Sequence, residues 1–128
     1  MRSRFSVRST GRGSNPIEPG PEIGLGQSRV KTYFLKLLPP RPTFAQDMTP
    51  GEARLMNEHG VYWAGLMKEG IAVIFGVVGD PQVPYGLGIV ELPDDADPRA
   101  LTAEDPVIKA GAGLAYEIYP MPRAVARR

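Results

Sequence analysis

Between Thr49 and Gly70 the chain marks both ends of a single helix, and that one element limits what the rest can build. Thr49 supplies an N-cap, Pro50 takes the first helical position, and Glu52, three residues after the cap, completes a capping box. Gly70, after Met67-Lys68-Glu69, is the residue free to adopt the left-handed backbone that ends a helix. Leu55, His59, Trp63, Leu66 and Met67 recur at helical spacing and form one apolar face. Strand-length apolar runs flank it: 30–38 before, closed by Pro39-Pro40-Arg41-Pro42, and 71–78 immediately after. The helix is therefore read as a crossover between two strands.

The remainder follows the same logic. Gly79-Asp80-Pro81 opens a turn, with Pro81 in the second place of a type I turn, and 85–92 is a third strand. Pro93-Asp94-Asp95 leads into a shorter helix over about 96–103. Asp105-Pro106 interrupts that helix, 107–110 forms one further turn, and 114–119 is the last strand, closed by Pro120-Met121-Pro122. The order β-α-β-β-α-β predicts an α+β, ferredoxin-like fold: a four-stranded antiparallel sheet with two helices on one face.

A sheet covered on one side should alternate apolar and polar residues, and these strands do not. Ile71-Ala-Val-Ile-Phe75 is apolar on both faces, and Tyr33, Leu35 and Leu37 lie opposite Phe34 and Leu38. Two helices cover one face; a second copy packed sheet to sheet would cover the other, so a homodimer is expected.

Charge and composition narrow the function. Residues 1–29 are rich in Gly, Pro, Ser and Arg without apolar periodicity and are read as a disordered leader. The folded unit is expected over 30–122, followed by a basic tail, 123–128. The net charge of +1 conceals a partition, because residues 32–122 hold six basic side chains against twelve acidic ones, a net of −6. The basic residues of both ends are read as solvated. An acidic domain is a poor surface for phosphates, so no nucleic-acid partner is expected. Tyr85-Gly-Leu-Gly-Ile-Val-Glu-Leu92 follows the spacing of an RNA-binding motif, but Leu87, Ile89 and Leu92 occupy its aromatic positions. The chain has no cysteine, which removes disulfides, thiol catalysis and thiolate metal sites. No apolar run reaches the length of a membrane span and the start lacks the apolar core of a secretory signal; a cytoplasmic protein is expected.

His59 is the lone histidine, and histidine is the side chain whose ordinary pKa lies near neutrality. On an apolar helix face it is either a hydrogen-bonded core residue or a general base. Gly60 follows it in mid-helix, at a cost of roughly 0.5–1 kcal/mol relative to Ala, which suggests close packing or access for a ligand. A catalytic imidazole needs a carboxylate on its other nitrogen, and Asp105 is the best placed, since both helices share one face of the sheet. Asp105 is equally well read as the cap of the turn that begins at Pro106. Glu58 points away from His59 around the helix and is read as solvated. One histidine without cysteine groups no metal ligands, and no cofactor loop is present, so neither metal nor cofactor is expected.

The ordered set Glu58-His59-Gly60-Val-Tyr62-Trp63, Lys68-Glu-Gly70-Ile-Ala-Val-Ile-Phe-Gly76, Gly86-Leu-Gly88-Ile-Val and Ala103-Glu-Asp105-Pro106-Val-Ile resembles the YCII-related family over about residues 30–122. The resemblance implies a dimeric α+β barrel and an acid/base dyad that maps onto His59 and Asp105. One departure is Phe75-Gly76-Val77, where the family pattern has Phe-Gly-Pro. The expected function is a small-molecule enzyme in which His59, oriented by Asp105, drives an isomerisation or elimination. The substrate would lie between Phe34, Tyr62, Trp63 and the sheet, with Arg41 taking a substrate carboxylate. The competing expectation is a non-catalytic dimeric module that binds a small molecule or a partner chain through the same cleft, and a third reading is regulatory ligand binding at the dimer seam.

Overall fold

The computed structural model describes residues 30–128; the leader expected over 1–29 lies outside the described residues. The elements run β1 (Val30–Leu38), α1 (Phe44–Asp47), α2 (Pro50–Lys68), β2 (Ala72–Val78), β3 (Tyr85–Pro93), α3 (Pro98–Ala103), α4 (Pro106–Lys109) and β4 (Ala115–Met121). The four strands form one sheet in the order β2-β3-β1-β4, and each neighbouring pair is antiparallel. This is the βαββαβ arrangement expected from the sequence, with α1 added in the first loop.

Helix α2 begins as the sequence states. Thr49 Oγ1 accepts from the Glu52 amide at 3.1 Å while Glu52 Oε1 accepts from the Thr49 amide at 2.9 Å, so two amides left unpaired by the first turn are both satisfied. Gly70 ends it at φ 78°, a left-handed conformation that favours glycine. Helix α3 starts two residues later than expected, because Asp97 accepts from the Arg99 amide and Pro98 takes the first helical position. Strand β4 runs on through Pro120 to Met121. It lies at the sheet edge, where a proline needs no outward ladder partner. Asp80 caps its own turn by accepting from the Gln82 amide at 2.8 Å.

The core fills the space between the helices and one face of the sheet. Leu35, Trp63, Leu66, Ile71, Ala72, Val90, Leu92 and Leu101 form one buried cluster. Full burial of a leucine-sized side chain contributes about 1.5–3 kcal/mol, so this cluster is the main support of the fold. Met67, expected on the inward face of α2, is 40% exposed. Strand pairing sets which side each residue takes: Leu35 opposite Gly88 and Ile118, and Leu37 opposite Gly86 and Tyr116, face the helices. Phe34, opposite Ile89 and Tyr119, therefore faces the other way and stacks on the Tyr119 ring with centroids 5.6 Å apart. In the tail, Arg128 pairs with Glu91 on that open face through its guanidinium at 2.5 Å while staying largely exposed.

Candidate functional site: a buried carboxylate beneath a histidine

Three elements converge on Asp105. It lies just before Pro106, so its backbone is extended while the next residues turn into α4, and its Oδ1 accepts from the Val107 amide at 3.1 Å as an N-cap. Its other oxygen, Oδ2, meets His59 Nδ1 at 2.8 Å and the Tyr116 hydroxyl at 2.5 Å, with Trp63 Nε1 at 3.4 Å. The two sequence readings of Asp105, cap and histidine partner, are thus both present, one on each oxygen.

Asp105 is completely buried. Burial by itself pushes a carboxyl up toward the neutral form, but the hydrogen bonds from His59 and Tyr116, the His59 charge and the Val107 amide outweigh it and hold Asp105 below its ordinary value. An ionised carboxylate only accepts, so His59 Nδ1 carries a proton and donates it, and in the neutral imidazole Nε2 is the nitrogen that holds the lone pair. Burial first, then the negative charge of Asp105 and the hydrogen bond donated to it, push the Tyr116 phenol well above its usual range. Tyr116 is therefore a fixed donor at neutral pH. Trp63 Nε1 donates to the Tyr116 hydroxyl at 3.0 Å and closes the network.

The Trp63 ring lies on the sheet over Gly88. A Cβ at Gly88 would come within 2.3 Å of the Trp63 ring, so this second glycine of the third strand is there to admit an indole. Gly60 has the opposite character: a Cβ there would meet nothing within 4 Å among the described residues, so close packing is not its reason.

His59 keeps 16% of its side chain exposed and lines a pocket of about 280 Å³ between α1, α2 and the β2-β3 edge of the sheet. Leu37, Phe44, Met48, Met56, Phe75, Val77 and Leu114 are among its walls. With Nδ1 engaged by Asp105, the Nε2 edge of the ring is the part left for the pocket. Val77, at the place of the family's usual proline, is 79% exposed at the rim. A smaller cavity of about 20 Å³, also lined by His59, reaches Trp63 and Tyr116.

The other expected site residues fall elsewhere. Phe34 is on the opposite face of the sheet and does not line the pocket. Tyr62 ties α2 to α3 by donating to the Leu101 carbonyl at 2.6 Å. Trp63 is buried below His59 and borders the small cavity rather than the larger pocket. Arg41 is held by two carboxylates: its NH1 and NH2 donate to Glu52 at 2.9 and 2.7 Å, and its Nε donates to Asp47 at 2.9 Å. Its hydrogen bond pulls the Glu52 carboxyl down to about 2. Arg41 also lies over the Phe44 ring, with Cζ 5.4 Å from its centroid. It fixes the loop carrying Pro42, Phe44 and Met48, which wall the pocket, instead of facing a ligand.

Tyr116 is the member of the network that sequence reasoning missed. Its signal was present: it alternates with Ile118 on the inward side of the last strand, and a buried aspartate requires more donors than one imidazole. Among the described residues no group of three or more His, Asp or Glu side chains is placed to hold a metal ion. No described helix is long and apolar enough to cross a membrane.

Comparison with known proteins agrees with the resemblance read from the motifs. Neither a search of curated proteins nor a search of solved structures returned a match. The family model for the YCII-related domain matches residues 33–122, the segment that carries the sheet, α2, His59 and Asp105, and the chain belongs to that family.

Proposed function

We propose that the chain is a small-molecule enzyme in which His59 is the general base and Asp105 holds it in the required tautomer, for an isomerisation or elimination. The observation that carries this is the 2.8 Å contact between His59 Nδ1 and a fully buried Asp105, at the wall of an open pocket. Proton abstraction from a substrate carbon by Nε2 makes an imidazolium, and the Asp105 charge directly behind it stabilises that cation. Such a base contributes about 10² to 10⁴ in rate. Tyr116 and Trp63 act through Asp105 as positioning residues: they occupy its oxygen so that the imidazole has one orientation.

The working form is a homodimer joined through the open sheet face. Phe34, Leu87, Ile89 and Tyr119 share that face, and Ile74 on it is 54% exposed. Sedimentation of Ile74→Lys should then show monomer where the parent chain is dimeric; a parent chain that sediments as a monomer refutes it. The cytoplasm is the proposed location.

The non-catalytic alternative rests on one feature, that among the described residues the pocket is lined by no ionisable side chain besides His59 and Tyr85. Reaction with diethyl pyrocarbonate separates the two, because a free Nε2 lone pair is acylated and the chain has a single histidine. Acylation of His59 that slows in Asp105→Asn supports an oriented base. Resistance of His59 in the folded protein, with ready reaction after unfolding, would return it to the role of a core residue.

A further inference from the structure

The walls of the pocket describe what enters it. Leu37, Phe44, Met48, Met56, Phe75 and Leu114 present carbon and sulfur, and no Lys or Arg lines the pocket among the described residues. Arg41, the cation of the adjoining loop, makes four hydrogen bonds to Glu52 and Asp47. The domain around the pocket has a net charge of −6 over residues 32–122. An anion brought here would lose its water, find no Lys or Arg in the pocket wall among the described residues, and approach the buried negative charge of Asp105. A cationic ligand is no better served, since Asp105 is shielded behind the His59 ring and, among the described residues, no other carboxylate lines the pocket.

We infer that the pocket takes a neutral, largely apolar molecule of about a dozen non-hydrogen atoms, with one polar group placed beside His59 Nε2. The size follows from a volume of about 280 Å³, at the lower limit of ordinary small-molecule sites. Met48 and Met56 add walls whose unbranched side chains adapt to differing apolar shapes, so recognition is by hydrophobic bulk rather than by a charged anchor. This class deepens the reading of His59 as a base: the proton removed comes from a carbon acid activated by a neutral carbonyl, not by a carboxylate.

Three probes of one skeleton test it on the full chain: 4-phenylbutan-2-one, 4-phenylbutanoate and 4-phenylbutylamine, followed by NMR of the protein. The ketone should shift the Met56 and Phe75 signals and bind at least tenfold more tightly than either charged relative. Equal or tighter binding of the carboxylate or the amine overturns the inference, as does failure of the ketone to bind at millimolar concentration. Failure of the catalytic reading is seen separately, in heavy water. A base at His59 exchanges deuterium into the carbon positions beside the ketone carbonyl, and His59→Gln abolishes that exchange. Ketone binding without exchange in the parent chain leaves the ligand class standing and refutes the base; exchange combined with a preference for the carboxylate does the reverse.

Discussion

Replacement of Asp105 by Asn should cost the fold a measurable amount of stability, and the cost should depend on pH in a defined direction. The carboxylate is fully buried and accepts from His59, Tyr116, Trp63 and the Val107 amide. An amide of the same shape keeps one acceptor oxygen but turns a donor toward groups that already donate. Each buried donor left unpaired costs about 1–3 kcal/mol. Tyr116 and His59 are only partly buried and recover some of this from water, so the net expectation is about 2–4 kcal/mol near neutral pH. That is a large part of the roughly 5–15 kcal/mol that holds a domain together.

The pH dependence follows from the lowered pKa of Asp105. Burial raises it, but the donors and the His59 charge lower it further, so the folded value lies below the ordinary one. The carboxylate therefore stabilises the fold fully above its unfolded value of about 3.9, and the contribution is lost as pH falls through the folded value. Glu52, held at about 2 by Arg41, titrates in the same acidic range, but it is present in both proteins and cancels in the difference. Urea unfolding of the parent chain and of Asp105→Asn, at one protein concentration and from pH 7 down to about pH 3, reads this directly. The gap between the two should narrow as pH falls below about 4. A gap under about 1 kcal/mol at pH 7, or one that widens below about pH 4, would refute a buried ionised carboxylate at the centre of the site.

Two glycines make opposite predictions. Gly88→Ala drives a Cβ into the Trp63 ring and should cost at least about 1–3 kcal/mol; because Trp63 is the single tryptophan, its emission should also shift, and an unchanged spectrum would mean that the ring does not rest on Gly88. Gly60→Ala meets open space within a helix and should stabilise by about 0.5–1 kcal/mol, seen as a rise in Tm of a few degrees; a loss instead would show that something packs against Gly60 in the working protein.

The sequence by itself determined the elements and their order, because their signals act over a few residues. A capping box closes between Thr49 and Glu52, an aspartate before a proline starts α4, and Gly70 ends α2, each through contacts no longer than a helical turn. Periodicity likewise put His59 on the inward face of α2. What it left open was decided at longer range. Both faces of β1 are apolar, so its two-residue period does not say which face meets the helices; strand pairing put Leu35 and Leu37 there and turned Phe34 outward. Arg41 looked free for a ligand until folding brought Glu52, eleven residues on, against its guanidinium. The pairing of His59 with Asp105 spans 46 positions, and the sequence could name both partners without showing that one carboxylate caps a turn and orients the imidazole together. A carboxylate placed where water cannot reach must gather its donors from every element around it. That requirement brought in Tyr116 and Trp63, and only the packing of α2, α4 and β4 around one point reveals it.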